Sequence, residues 1–117
     1  MTVEADIYTL LKTKCARVFP DFAPVDTARP YVTYQQIGGQ PLTFLEATIA
    51  SKKNGVFQVS IWSDTRAEAM ALALLIEAAM IEATAFQATP ESAPISDFDA
   101  DIPVYGARQD FSIWSNR

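Results

Sequence analysis

Histidine is absent from the 117-residue chain, and cysteine occurs once, at Cys15. The first absence removes the commonest general base, the usual partner of a nucleophilic serine and the commonest zinc ligand. The second excludes an internal disulfide and leaves no cysteine set for zinc. Cys15 itself reads as a small buried hydrophobe. Glycine is scarce at four residues, and Gly38-Gly39 has neither the spacing nor the following Lys-Ser/Thr of a phosphate-binding loop. No apolar run reads as a membrane span, because the longest, Ala67 to Ala83, is interrupted by Glu68, Glu77 and Glu82. The N-terminus lacks the basic-then-apolar pattern of a signal peptide, so a reducing cytoplasm is the expected place of synthesis. Cations are also few: nine Lys and Arg against fourteen Asp and Glu give a net charge of −5, and only Lys52-Lys53 are adjacent. Neither membrane nor nucleic acid is therefore an expected partner.

Half of the residues are apolar, which suits one domain over residues 1–117 with a real core. Val3, Ile7, Leu10, Leu11 and Val18 recur at helical spacing and predict an amphipathic first helix of about four turns that ends before Pro20. A stiff connector follows, from Pro20 through Pro24 to Pro30. Tyr31 to Ile37 is rich in β-branched and aromatic residues and reads as a strand stopped by Gly38-Gly39. A second strand is expected over Thr43 to Ser51. Lys52, Lys53, Asn54 and Gly55 then read as a hairpin turn with a three-residue loop, which places Ile49 opposite Val59 and Ala47 opposite Ile61. Beyond it, Phe57, Val59 and Ile61 face the core, while Gln58, Ser60 and Trp62 face away.

Thr65 and Glu68 fit a capping box and open a second helix that runs to about Ala83. Its large apolar residues, Met70, Leu72, Leu74, Leu75, Ile76, Met80 and Ile81, point several ways around the axis, so cover on more than one side is expected. A short strand at Ala85 to Thr89, an acidic loop punctuated by Pro90, Pro94 and Pro103, and a closing strand from Arg108 to Ser115 complete the pattern. The fold class is α+β: an antiparallel or mixed sheet packed against two main helices, in the order helix, strands, helix, strands. Ser60-Ile-Trp-Ser63 is matched by Ser112-Ile-Trp-Ser115, and in each Ile and Trp go to opposite faces. Trp62 and Trp114 therefore stand on the sheet face away from the core aliphatics.

Catalytic constellations are not found. Asp97, Asp99 and Asp101 imitate the start of a calcium loop, but Ile102 stands where the glycine is needed and Arg108 where the bidentate glutamate is needed. The serines have no G-x-S-x-G setting. Asp110 with Arg108, and Glu77 with Glu82, read as surface groups. Neither enzyme activity nor a cofactor or metal is expected, and a small metal-dependent enzyme using the aspartates is the less favoured alternative.

Phe19-Pro-Asp-Phe-Ala-Pro24, Pro30-Tyr-Val-Thr-Tyr34, Phe57-Gln-Val-Ser-Ile-Trp-Ser63 with Thr65 and Glu68-Ala69, and Arg108-Gln-Asp-Phe-Ser-Ile-Trp114 stand in an order that resembles the small tail-completion, or tail-terminator, family of phages and prophages. The resemblance covers nearly the whole chain. It implies a structural protein that assembles as a homo-oligomeric ring, commonly hexameric, on the finished tail tube, stops its polymerisation and faces the head connector. Its implied partners are the tail-tube protein and the head-tail connector protein, and its implied locations are the host bacterial cytoplasm during assembly and then the virion tail. A neck or head-closure protein docking on the portal side is the structural alternative. The candidate contact surfaces are the turn with Lys52, Lys53, Asn54 and Gly55, the sheet face with Trp62 and Trp114, and the many-sided helix from Thr65. Asp97, Asp99 and Asp101 with Arg108 are candidates to pair across subunits.

Overall fold

The computed structural model describes residues 2–117. Thr2 opens helix α1 (Val3–Lys12), its hydroxyl accepting from the Ala5 N–H at 3.1 Å. Glu4 and Asp6 in the first turn and Lys12 in the last complement the helix dipole, and Ile7 and Leu11 are buried. The helix is shorter than its periodicity predicts. The Lys14 and Cys15 N–H groups both turn back to the Leu11 carbonyl, and the chain leaves the helix there. Val18 is then buried within strand β1 (Val18–Pro20), where its β-branched side chain suits extended backbone. Cys15 is buried as a small hydrophobe just beyond the helix.

Strand β2 (Tyr31–Gly38) pairs parallel with β1 and antiparallel with β3 (Lys52–Ser63). After β3 come α2 (Arg66–Glu82), β4 (Gln87–Pro90), β5 (Ile95–Asp99) and β6 (Val104–Asn116). The sheet order is β1-β2-β3-β6-β4, with β5 also paired to β6. Only the β1–β2 pairing is parallel, so the sheet is mixed. Both helices lie on the face formed by Phe57, Val59 and Ile61 of β3 and Phe111 and Ile113 of β6, which join Ile7, Leu11, Leu72, Ile76 and Met80 in one core. The α+β architecture and its order of elements thus stand as read from the sequence.

The predicted hairpin turn is overturned. Lys52, Lys53, Asn54 and Gly55 are strand residues of β3, opposite Asn116, Ser115, Trp114 and Ile113. Val59 lies between Tyr34 and Gln109, and Ile61 between Val32 and Ala107, rather than opposite Ile49 and Ala47. Residues 43–51 form no strand. Phe44 to Ala47 make a turn closed by a 3.0 Å bond, and Ala47 has a φ of 57°. The physical reason is competition for backbone partners: β6 offers an unbroken ladder to the whole of β3, which a local hairpin cannot match. Asn54 clamps strands together, its amide donating to Ser112 Oγ at 3.0 Å and its oxygen accepting from the Gln40 N–H at 2.9 Å. Gly55 is required by packing, since a Cβ there would lie 2.8 Å from the Phe57 ring.

Three other expectations change. The closing strand begins at Val104 rather than Arg108, and the acidic loop before it contains β5, whose pairing with β6 the alternating polar sequence Ile95 to Asp99 conceals. At the start of α2 the Glu68 N–H donates to Thr65 Oγ1 at 3.1 Å as expected, but the Glu68 carboxylate accepts from Ser63 Oγ rather than from the Thr65 backbone. Buried Ser63 thereby finds a partner that a hydroxyl inside a core requires. Finally, α2 buries one side only, through Ala69, Leu72, Ala73, Ile76 and Met80, while Leu74, Leu75 and Ile81 are more than half exposed.

Two predictions follow from the packing. A Cβ at Gly106 would meet the Trp62 ring at 2.7 Å, whereas one at Gly38 would meet nothing. Gly106→Ala should therefore cost about 1–3 kcal/mol and perturb tryptophan fluorescence, while Gly38→Ala should stay within about 0.5 kcal/mol in urea unfolding. Burial raises the Tyr34 phenol above the ordinary 10.0, with Glu4, Tyr8 and Asp21 adding to it, and burial raises Tyr31 against the opposing Arg29 charge. The folded state then holds these protons to higher pH than the unfolded state does. Their contribution is complete below pH 10 and lost as pH rises above it. Urea titrations at about pH 8.5 and about pH 10.5 should show that loss, and Tyr34→Phe should reduce it.

Candidate functional site

Alternation along β3 and β6 builds the sheet face opposite the helices. Asn54 stands beside Trp114, Val56 beside Ser112, Gln58 beside Asp110, Ser60 beside Arg108 and Trp62 beside Gly106. Gln58 donates to Asp110 at 3.2 Å within this face. The two tryptophans share the face as the sequence predicts, but they do not form one patch. The offset between Trp62 and Asn54, the partner of Trp114, separates them by about 27 Å at strand rise.

Each tryptophan belongs to its own local surface. Trp62 packs against Gly106, where the lack of a side chain admits the ring. Together with Tyr31, Thr33 and Val104 it floors a cavity of about 230 Å³ whose sides are Asp21, Phe22, Ala23, Asp99 and Ile102. The proline-rich connector supplies Phe22, which is 77 % exposed. Trp114 lies at the other end, next to Gln87 of β4, in an open concavity of about 730 Å³ shared with Lys52, Ile81, Phe86 and Asn116. Both rings are half-buried, so the chain covers part of each and leaves part accessible.

Asp97 and Asp99 serve the backbone of β5 and of the connection to β6. Asp97 accepts from the Phe98 N–H at 2.8 Å, and Asp99 accepts from the Asp101 N–H at 3.0 Å. Among the described residues, no group of three metal-capable side chains converges. Arg108 is not brought to them. It is exposed in mid-strand between Ser60 and Ile95, four residues along β6 from Val104, the partner of Asp99.

Lys52 and Lys53 are exposed where the β3–β6 ladder begins, with Lys52 Nζ donating to Asn116 Oδ1. Arg117 joins them, donating to the Ala50 carbonyl at 3.0 Å. From this end projects an arm, residues 39–51, that the strand reading of Thr43 to Ser51 hides. Leu45 is fully exposed, Ile49 is 76 % exposed and Phe44 is about half exposed. A second open surface, on the helix that the sequence marks as a contact candidate, is the outer side of α2. Ala67, Ala71, Leu74, Ala78 and Ile81 are all exposed and follow one another at alternating spacings of four and three residues, a continuous apolar stripe. The many-sided apolar pattern was its signal; what it meant was a side left open.

A search among curated proteins gave no match. The family model for tail completion protein gp17 matches residues 2–115, which include both helices and the sheet up to Ser115 in β6. The chain thus belongs to the tail completion protein gp17 family, whose role is structural and lies in the phage tail.

Proposed function

We propose that this protein caps the tail tube as a homo-oligomeric ring, six-membered as the family resemblance implies, that stops tube polymerisation and offers its free side to the head connector. Family membership supplies the setting. The observation that carries the reading is the distribution of apolar surface on a small subunit: the arm at Phe44, Leu45 and Ile49, the α2 stripe from Leu74 to Ile81 with the adjoining Trp114 concavity, and the Trp62 cavity with Phe22 are three distinct surfaces. A protein with a single partner needs one such patch. A ring cap needs several, because each subunit touches two neighbours and the tube.

Assembly on this reading takes place in the host cytoplasm, and the finished ring stays in the virion tail. Lys52, Lys53, Asn54 and Gly55 act at the base of the arm. Trp62 and Trp114 act at opposite ends of the sheet, and Asp97, Asp99, Asp101 and Arg108 act at subunit borders.

The reading is tested by adding the full chain to polymerising tail-tube protein and measuring tube length by negative-stain electron microscopy. Tubes should shorten as the protein is added and carry a ring at one end. Unchanged lengths, with the protein recovered on the isolated connector instead, would favour a neck role on the portal side.

A further inference from the structure

The twelve-pair β3–β6 ladder, about 40 Å at strand rise, sets the long axis of a molecule 53 Å in length. The two ends of that axis differ in kind. At one, the arm carries fully exposed Leu45 above the cations Lys52, Lys53 and Arg117. At the other, the Trp62 cavity of about 230 Å³ is lined by Phe22 and Ile102, with Asp21 and Asp99 among its walls, Asp97 in the adjoining β5 and Asp101 in the connection that follows it. One end is an apolar knob, with Glu46 beside Leu45, on a basic base; the other is a hollow floored by Trp62, lined by polar and apolar groups alike, whose rim is acidic beside Arg29, itself paired with Asp64.

We infer that the arm of one subunit seats Leu45, with Phe44 beside it, in the Trp62 cavity of the next subunit, while Lys52 and Lys53 face the carboxylates of that cavity's rim. The occupant is a second copy because both complementary halves belong to this chain. Charge selects the polarity. Arm against arm would bring two sets of Lys52, Lys53 and Arg117 together, and cavity against cavity would oppose Asp21 and Asp99 to their copies, both repulsive. Knob against hollow pairs opposite charges and covers exposed Leu45 and Phe22 in one contact. Such a contact is heterologous: each copy uses both surfaces, and repetition of one operator closes a ring when the rotation permits. The inference rests on the ring reading and deepens it by saying which surfaces meet.

Two variants at exposed positions separate the halves. Leu45→Asp spoils the knob and Phe22→Asp spoils the hollow, and neither side chain is part of the core. Circular dichroism and thermal unfolding check that both still fold. Sedimentation of the full chain over a range of concentrations should show wild-type self-association and a dissociation constant raised at least about tenfold in either variant alone. An equal mixture of the two variants holds one sound contact per pair, between the arm of the Phe22→Asp copy and the cavity of the Leu45→Asp copy. It should give heterodimers and nothing larger. A photo-reactive amino acid at position 45 in tube-bound protein should cross-link to the segment around Ile102 or Phe22 of another copy. Cross-linking to the tube protein or to another part of the neighbour would overturn the arm contact while leaving the capping role intact. A mixture in which the two variants fail to pair, or variants that associate like the wild type, would overturn it as well. Loss of rings and of tube capping in the wild type itself would instead remove the function on which the inference rests.

Discussion

The register of β3 against β6 governs both faces of the molecule, because side chains alternate along a strand and partners across a ladder share a side. Phe57 opposite Phe111 and Gly55 opposite Ile113 put the apolar row where α1 and α2 can cover it. The same register puts Trp62 over Gly106 and Gln58 beside Asp110 on the other side. A slip of one residue would turn Val59 and Ile61 outward and drive Gln58 and Ser60 into the core. Everything else attaches to this pair: β2 extends it beyond β3, β4 and β5 divide the outer edge of β6, and α2 spans the apolar side.

What could be read in the sequence follows from how local each signal is. The alternation of Phe57 to Ile61, the β-branched run at Tyr31 and the cap at Thr65 are fixed by neighbours a few residues away, and each is found where expected. The turn at Lys52 to Gly55 failed because Asn-Gly is a local hairpin signal, whereas its true partner, β6, lies about sixty residues on. That non-local pairing also made residues 39–51 an arm rather than a strand and left Leu45 outside. At the candidate site, the shared face of Trp62 and Trp114 was legible from alternation. Their separation was not, because it depends on the β3–β6 register and no single strand carries it.

The surplus of exposed apolar side chains is the structural trait that calls for partners. The helix α2 has enough leucine and isoleucine to bury two sides, and the sheet takes one. The arm contributes nothing to the core through Leu45 or Ile49. Such surfaces oppose solubility in a lone subunit, and the net charge of −5 acts in the other direction. On the proposed reading, ring closure and seating on a tube would cover these surfaces together.

The proposed capping role implies one location in the finished particle. Electron cryo-microscopy of intact virions, with the chain located by fitting its two-helix, six-strand fold, measures that location directly. The account predicts one closed ring of this subunit between the last ring of tube protein and the connector. Density for the subunit along the tube, at its distal tip, or only on the portal face away from the tube would contradict it.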